Sequence, residues 1–316
     1  MTTPISPAQI ERARSLIDPV FLDTPVLRHD GLNAALGCAC WLKIETLNPI
    51  RSFKGRGTEA LIAALDPAPA HVVATSTGNF GQGLARAAMR RGIGATIFSG
   101  ADANPQKLAA MRRLGAEVRL VPRGENGKQT ARRFAQQMNA LFVEDGAHPE
   151  IAAGAGTIGQ ELTAQVAALD AVVVQVGDGA LIAGVGSWLK AKAPGVRIIG
   201  VTAAAAPAMM ASLKAGAPVS LPAETIADGM AIHTPIASAV AEVAAVIDDI
   251  VAVEEEAMID AVRLLIRETG IVAEPSGAAG VAALMSHRDM WAGRNVAVIV
   301  TGSNVRPELL AAAAAG

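Results

Sequence analysis

Short runs rich in valine and isoleucine recur along this chain and alternate with stretches of helical periodicity. Continuous apolar runs of this kind are typical of strands that are buried on both faces of a parallel sheet. The alternation therefore predicts an α/β protein. It falls into two blocks, at about 71–145 and 155–305, which predicts two lobes of sheet and helix.

The individual elements follow from the same patterns. We predict strands at Cys40–Glu45, His71–Ala74, Thr96–Phe98, Val118–Val121, Leu141–Val143, Ala171–Val176, Val196–Val201, Ile250–Val253 and Val296–Val300. We predict helices at Ala8–Leu16, Thr58–Leu65, Gly81–Arg91, Pro105–Leu114, Asn126–Asn139, Ala180–Ala193, Pro207–Ala215, Glu254–Glu268 and Ser276–Ser286. The glycine-rich segment Gly154–Gly159 is expected to precede a further helix that ends near Ala168.

Composition argues against several classes of protein. Apolar residues make up 51% of the chain and charged residues 18%, as in a globular protein. A net charge of −2, without tyrosine or a basic run, argues against nucleic acid or an anionic membrane as a partner. The two cysteines, Cys38 and Cys40, and an N-terminus (Met1–Pro7) without a signal pattern favour a cytoplasmic location. No apolar run reaches membrane-spanning length.

Lys54 is the first candidate for chemistry, since it follows Phe53 and comes just before the helix predicted at Thr58–Leu65. Burial and repulsion from the cations Arg51 and Arg56 are predicted to lower the pKa of its amine. A neutral amine is a nucleophile towards a carbonyl and can form a Schiff base. The alternative is an ordinary surface lysine.

Three loops each follow the end of a predicted strand, at the carboxyl edge of the sheet. Open α/β sheets bind ligands at this edge. In the first, Thr75–Gly81, glycines let the backbone approach a ligand and the helix start attracts an anion. The alternative is that Ser76 or Thr77 only caps the helix. The third loop begins at Thr301, whose hydroxyl alone would indicate a turn or a cap.

The second loop, Val176–Gly186, suits a phosphate. Ile182 stands at the third glycine position of a dinucleotide fingerprint, and Val185 stands where a P-loop requires lysine. The phosphate is therefore expected to belong neither to a dinucleotide nor to a nucleoside triphosphate.

A Schiff-base lysine, a phosphate loop and polar groups around a ring-sized space fit pyridoxal phosphate (PLP). At these motifs the chain resembles the tryptophan-synthase-β group of PLP enzymes (fold type II), and most closely the serine/threonine dehydratases. The matching segments, in family order, are Lys43–Glu45 with Ser52–Gly57, Ser76–Gly81, Gly177–Leu181, Thr225–Gly229, Glu274–Ala278 and Thr301–Asn304.

The resemblance implies where the domains and the site lie. Residues 1–74 and 146–316 are expected to form a large cofactor-binding domain, residues 75–145 a small mobile domain, and the chain a homodimer. Lys54 is expected to form the Schiff base and act as the base at the substrate Cα. The substrate site is expected to consist of Ser76, Thr77, Gly78, Asn79 and Phe80. The cofactor site is expected to consist of Phe53, Lys54, Asn79 at the ring hydroxyl, Gly177, Asp178, Gly179, Ala180 and Leu181 at the phosphate, Gly229, Glu274, and Thr301 at the pyridine nitrogen.

Some residues depart from the family pattern. Asp178 replaces a glycine of the phosphate loop, where it could cap the helix or pair with a cation. Thr77 stands where racemases of this group use serine, which argues against racemisation. Phe80 replaces the usual histidine and predicts a pocket for an aromatic β-substituent, unless its ring only packs into the core. No metal site is predicted, because the segment 202–208 lacks the acidic residues that bind a divalent cation in some relatives.

The predicted function is PLP-dependent elimination. Threonine, serine or an aromatic analogue such as phenylserine would be converted to a 2-oxo acid and ammonia. The alternatives are a β- or γ-replacement, as in cysteine or threonine synthases, and a nucleotide-binding oxidoreductase, which the glycine spacing disfavours. A purely binding protein would leave Lys54 and the three loops unexplained.

Overall fold

A computed structural model describes the backbone of residues 5–314 and the side chains up to Ala313. Residues 1–4 and 315–316, which belong to the predicted large domain and include part of the N-terminal segment, lie outside this range. None of the described helices is both long and apolar enough to cross a membrane.

Helices and strands alternate along most of the chain. The helices are α1 (Pro7–Leu16), α2 (Asp30–Leu36), α3 (Lys54–Ala64), α4 (Asn79–Met89), α5 (Pro105–Arg113), α6 (Gly127–Gln137), α7 (Pro149–Gln165), α8 (Ala180–Lys192), α9 (Ala208–Ala215), α10 (Ala237–Ala244), α11 (Glu255–Thr269), α12 (Pro275–Ser286), α13 (Arg288–Trp291) and α14 (Pro307–Ala314). The strands are β1 (Val26–Arg28), β2 (Ala39–Ile44), β3 (His71–Thr75), β4 (Gly94–Gly100), β5 (Glu117–Val121), β6 (Leu141–Val143), β7 (Ala171–Gln175), β8 (Arg197–Ala203), β9 (Asp249–Val253) and β10 (Asn295–Val300). Single 3₁₀ turns lie at Pro19–Phe21 and Asp228–Met230.

Six strands form one sheet in the order β1-β2-β10-β7-β8-β9. Every neighbouring pair in it is parallel except β1 and β2. β2 pairs along its whole length with β10, from Ala39 opposite Asn295 to Ile44 opposite Val300. The N-terminal strands therefore lie in the same sheet as the last strand of the chain.

The other four strands form a second sheet in the order β5-β4-β3-β6, and all its pairs are parallel. Helices flank both sheets and bury their faces, so the central strands β7 and β10 are buried along nearly all of their length. The predicted α/β fold with mostly parallel sheets is confirmed. Buried valine and isoleucine runs stabilise such sheets from both faces.

Helix α3 begins at Lys54, four residues before the predicted start at Thr58, so the predicted boundary was wrong. Two glycines in the first turns of this helix allow close packing. A Cβ at Gly55 would lie 2.2 Å from the ring of Phe21, and one at Gly57 would lie 2.7 Å from the carbonyl oxygen of Ile151 in α7. Gly57 therefore lets α3 and α7 approach backbone to backbone.

Helix α7 also begins earlier than predicted, because the glycine-rich segment Gly154–Gly159 lies inside it. A Cβ at Gly154 would lie 2.6 Å from the carbonyl oxygen of Arg56, and one at Gly184 in α8 would lie 1.9 Å from that of Ala152. Tertiary packing overrides the low helix propensity of glycine here. The short helices α2, α10 and α13 were not predicted, since their apolar patterns span only one or two turns.

Four charged side chains are buried together beneath α3. The guanidinium of Arg56 bonds Glu45 at 2.7 Å and Glu161 at 2.6 Å, and the amine of Lys43 bonds the second oxygen of Glu161 at 2.6 Å. The exposed fraction of each of these side chains is 2% or less. Thr157 accepts a further bond from Arg56 at 2.9 Å. These bonds join β2, α3 and α7 at one point.

The charges in this cluster balance one another. Burial alone would raise the pKa of Glu161, but the hydrogen bonds and positive charges of Arg56 and Lys43 outweigh burial and lower that pKa to about 2. A carboxylate with a lowered pKa adds stability above its ordinary pKa and loses it as the pH falls towards the folded value. Removing one cation at neutral pH would leave a buried carboxylate without compensation.

We therefore expect Arg56→Met to lower the free energy of unfolding by about 3–5 kcal/mol. The matched control is Arg12→Met on the exposed face of α1, which should change it by no more than about 0.5 kcal/mol. Urea unfolding at neutral pH, followed by circular dichroism, measures both. Equal losses in the two variants would show that the buried cluster does not stabilise the fold in this way.

Candidate functional site

A cavity of about 920 Å³ lies where the carboxyl ends of the strands of both sheets meet. This volume is within the range of small-molecule and cofactor sites. The cavity is lined by every predicted site residue except Gly78. These are Phe53, Lys54, Ser76, Thr77, Asn79, Phe80, Gly177, Asp178, Gly179, Ala180, Leu181, Gly229, Glu274 and Thr301. The fold therefore brings distant parts of the chain to one place.

Lys54 projects its amine into this cavity from the first turn of α3. The amine lies 5.0 Å from the ring centre of Phe53 and 6.0 Å from that of Phe80. It forms an ion pair with Asp145, in the loop after β6, and the exposed fractions of the two side chains are 13% and 12%. Lys54 is therefore a largely buried amine and not a surface lysine.

The prediction that the pKa of Lys54 is lowered was wrong in direction as well as in cause. Arg56 points into the buried cluster described above, and Arg51 is exposed to solvent. Burial lowers the pKa of Lys54, but the negative charges of Asp145 and Asp178 outweigh burial and raise it. The amine is consequently held as a cation between two carboxyl groups.

The loop 76–80 is arranged around one hydroxyl. Oγ of Ser76 accepts hydrogen bonds from the N–H groups of Gly78 at 3.0 Å and Gly81 at 2.9 Å. α4 begins at Asn79, and Gly78 before it has no side chain that could cap the helix. Ser76 instead accepts the bond from Gly81 in the first turn, as the capping alternative proposed, while Asn79 and Phe80 at the start of α4 line the cavity.

The amide of Asn79 has partners on both of its ends. Its nitrogen donates to Glu274, and its oxygen accepts a bond from the amide of Asn304 at 2.8 Å. Burial raises the pKa of Glu274, and the positive charge of Lys107 partly offsets this rise. The position of Asn79 is therefore fixed by residues that precede α12 and follow β10.

Lys107 on α5 connects the two sides of the cavity. Its amine lies 2.9 Å from Asp228 and 3.1 Å from Glu274, and its side chain is buried. α5 flanks the four-stranded sheet, whereas Asp228 and Glu274 belong to segments next to the six-stranded sheet. Gly78 also touches this lysine, since a Cβ there would lie 2.2 Å from Cδ of Lys107.

The loop before α8 has the geometry of an anion site. Gly179, with a φ of +98°, precedes α8 and offers no side chain to cap it. The first N–H groups of α8 therefore have no partner within the helix, and the residues that carry them line the cavity. A Cβ at Gly177 would lie 2.6 Å from the carbonyl oxygen of Gly229. Gly177 therefore lets the loop pack against the backbone of Gly229, and Gly179 allows the left-handed turn from which α8 begins.

Asp178, between those glycines, does not cap α8. Burial and then the negative charge of Asp145 raise the pKa of Asp178 to about 7, against the opposite effect of Lys54. The sequence left two possibilities for Asp178, a helix cap or an interaction with a cation. The structure supports the second, because the positive charge of Lys54 acts on this carboxyl group.

Thr301 ends β10 at the edge of the cavity. Its hydroxyl lies 3.5 Å from the carbonyl oxygen of Ser276, at the limit of a hydrogen bond. The hydroxyl of Ser276 accepts a bond from the N–H of Gly229 at 3.1 Å. Ser276 therefore connects the Thr301 and Gly229 segments.

Sequence reasoning missed two residues that the structure places at the centre of the site. Asp145 lies two residues after the end of β6, and the strand-end rule that selected Ser76 and Thr301 could have selected it too. No local pattern distinguishes Lys107, because it lies on a helix whose other charged residues are surface residues. Its two acidic partners lie 121 and 167 positions further along the chain, at Asp228 and Glu274.

Comparison with known proteins decides the family. Residues 17–302 match the family of pyridoxal-phosphate dependent enzymes. This chain belongs to that family. The L-threonine ammonia-lyase of Thermotoga maritima is 36% identical over 300 residues, which cover 94% of this chain and 75% of that protein. The phenylserine dehydratase of Ralstonia pickettii is 35% identical over 286 residues, or 89% of this chain and 87% of that protein. The crystal structure of the T.th. threonine deaminase superposes with a TM-score of 0.88 at 33% identity, over 95% of this chain and 98% of that one.

The residues of this pyridoxal-phosphate dependent enzyme suit its cofactor. Lys54 supplies a primary amine in the cavity. At the start of α8 the first N–H groups have no side-chain cap, and the loop before them contains the glycines Gly177 and Gly179. Such a helix start favours a phosphate. Asp178 is the one group of this loop that opposes a phosphate, and a protonated carboxyl group would remove that repulsion.

We expect Asp178→Asn to flatten the dependence of stability on pH in the cofactor-free protein. Asp178 keeps its proton in the folded state up to about pH 7, whereas the unfolded chain releases it near the ordinary value. The folded state then binds more protons in this window, so stability falls as the pH rises through it. The variant cannot ionise there, and its midpoint of thermal unfolding should exceed that of the wild type more at about pH 8 than at about pH 5.

Glu11→Gln, which removes an exposed carboxylate on α1, is the control for this measurement and should leave the pH profile unchanged. A constant difference between Asp178→Asn and the wild type at all pH values would contradict the assignment.

Proposed function

We propose that this protein catalyses the PLP-dependent elimination of water from a β-hydroxy amino acid, releasing a 2-oxo acid and ammonia. The observation that carries the proposal is the buried amine of Lys54, which shares one cavity with the starts of α4 and α8. The named activities of the relatives, an ammonia-lyase and a dehydratase, support the same reaction.

Each side of the cavity has a proposed role. Lys54 would hold the cofactor and, once released, remove the proton from Cα of the substrate. The start of α4, with Thr77 and Gly78, would bind the substrate carboxylate. The start of α8 would bind the cofactor phosphate, and Thr301 would face the ring nitrogen. When bound, pyridoxal phosphate withdraws electrons from Cα, which makes its proton acidic.

Phe53 and Phe80 give the substrate pocket its apolar wall. Both rings lie within 6.0 Å of the Lys54 amine, so they are close to the place where the substrate reacts. Phe80 is also 5% exposed and packs into the core behind the loop. We propose threonine, serine and phenylserine as substrates, with the aromatic one favoured by this wall.

We further propose that residues 75–145 form a small domain that moves against a large domain of residues 1–74 and 146–316. The pairing of β2 with β10 supports placing the N-terminal segment in the large domain. The bonds of Lys107 to Asp228 and Glu274 would then hold the two domains together. A homodimer in the cytoplasm is proposed as well; the buried free thiols of Cys38 and Cys40 suit a reducing compartment.

We expect Lys54→Ala to lower the release of 2-oxo acid by about 10³-fold or more, because one amine serves as both anchor and base. The assay uses threonine, serine and phenylserine as single substrates. Lys214→Ala, at an exposed lysine of α9, is the matched control and should retain full activity. A replacement enzyme would instead need a second nucleophile before product forms. Comparable rates for Lys54→Ala and the control would contradict the assigned role.

We expect substitution of Phe80 to change the order of substrates. Phe80→His should lower the ratio of kcat/KM for phenylserine over threonine by about 10-fold, because an aromatic contact is exchanged for a polar one. Phe80→Leu keeps the apolar surface without the aromatic ring and should have a smaller effect. An unchanged ratio in both variants would place Phe80 in the core alone.

A further inference from the structure

Two carboxyl groups act on the reactive amine. The Lys54 amine pairs with Oδ2 of Asp145, and the charge of Asp178 acts on both of these groups from the same cavity. The other oxygen of Asp145, Oδ1, is buried and has no hydrogen-bond partner among the described residues. Asp145 therefore holds the amine with one oxygen and has the other available for a proton.

The segments that carry the two carboxyl groups adjoin, and both residues line the same cavity. A Cβ built on Gly146, next to Asp145, would lie 3.1 Å from Cβ of Asp178. Carboxyl groups that share a site keep one proton between them. The other charged groups that act on the pair are Lys54 on α3, Lys128 on α6 and His148 before α7. Lys128 itself pairs with Glu144, so its charge is already partly balanced.

Binding of a phosphate at the start of α8 would strengthen this arrangement. The phosphate would add negative charge beside Asp178, and like charge favours the protonated carboxyl group. A neutral carboxylic acid beside the reacting amine is a suitable general acid.

We propose that Asp145 and Asp178 form a carboxyl pair that gives its proton to the departing β-hydroxyl group and recovers it from Lys54. The proposal rests on the elimination reaction proposed above. Lys54 takes the proton from Cα as that C–H bond breaks. The Cβ–O bond breaks with its electron pair on oxygen, and the shared proton of the pair passes through Asp145 to this oxygen, so that water leaves. The Lys54 ammonium then returns one proton to Asp145 across their ion pair, which restores both the neutral amine and the protonated pair.

The leaving group distinguishes this role from a structural one. Elimination from serine needs a proton on the departing oxygen, whereas chloride leaves from β-chloroalanine without one. We expect Asp145→Asn and Asp178→Asn to lower kcat for serine by about 10²-fold or more and kcat for β-chloroalanine only a few-fold. Glu11→Gln, which removes an exposed carboxylate on α1 far from the cavity lining, is the control and should leave the ratio of the two rates at the wild-type value.

A second measurement needs no turnover. In the cofactor-free protein with carbon-13-labelled aspartate carboxyl groups, one resonance should titrate near neutral pH. That resonance should be missing in Asp178→Asn and should titrate at lower pH in Asp145→Asn, because either change breaks the pair. Glu11→Gln should leave it in place.

The outcomes separate the two proposals. If the wild type releases 2-oxo acid from neither substrate, the proposed elimination is wrong, and so is the proposed proton transfer from the carboxyl pair. If the wild type converts both, equal losses on the two substrates, or no loss on serine, overturn the carboxyl-pair role alone. Absence of an aspartate that titrates near neutral pH overturns the pair itself.

Discussion

The position of the reactive amine depends on the buried bonds of Arg56 to Glu45 and Glu161. Arg56 lies two residues after Lys54 on the first turn of α3, and its bonds tie that turn to β2 and α7. Charges in a protein interior are costly unless each has a partner, so this cluster permits few other arrangements of the three elements. Glycines of α3 and α7 contribute by letting the two backbones approach. The first turn of α3 is thereby held in place, and with it the Lys54 side chain that extends into the cavity.

The charges around the amine are negative, and this determines what the site can do. Asp145 and Asp178 keep Lys54 protonated in the cofactor-free protein, so the amine becomes a nucleophile only when its proton has a place to go. The same two groups can accept that proton. A carboxylate within a phosphate site would otherwise oppose the cofactor, and its pairing with a second carboxyl group and an amine gives a physical reason for its presence.

Lys107 gives the cavity its second constraint. It bonds Asp228 and Glu274 from the opposite side, and Glu274 in turn holds Asn79. The loop expected to bind the substrate carboxylate is thus connected through three side chains to the sheet that carries Thr301. The same bonds join α5, beside the four-stranded sheet, to segments beside the six-stranded sheet.

The sequence by itself determined the α/β class, most strands and the candidate loops, because apolar periodicity and the strand-end rule depend on neighbouring residues. Motifs spread over the chain also indicated the family and the cofactor. Only the tertiary structure decided where α3 and α7 begin and which charges surround Lys54. Arg56 is its near neighbour in sequence but turns away, whereas Asp145, 91 positions along the chain, touches its amine. Electrostatic interactions depend on distance in space. In a folded chain, packing decides which charges are closest, and their separation along the sequence does not.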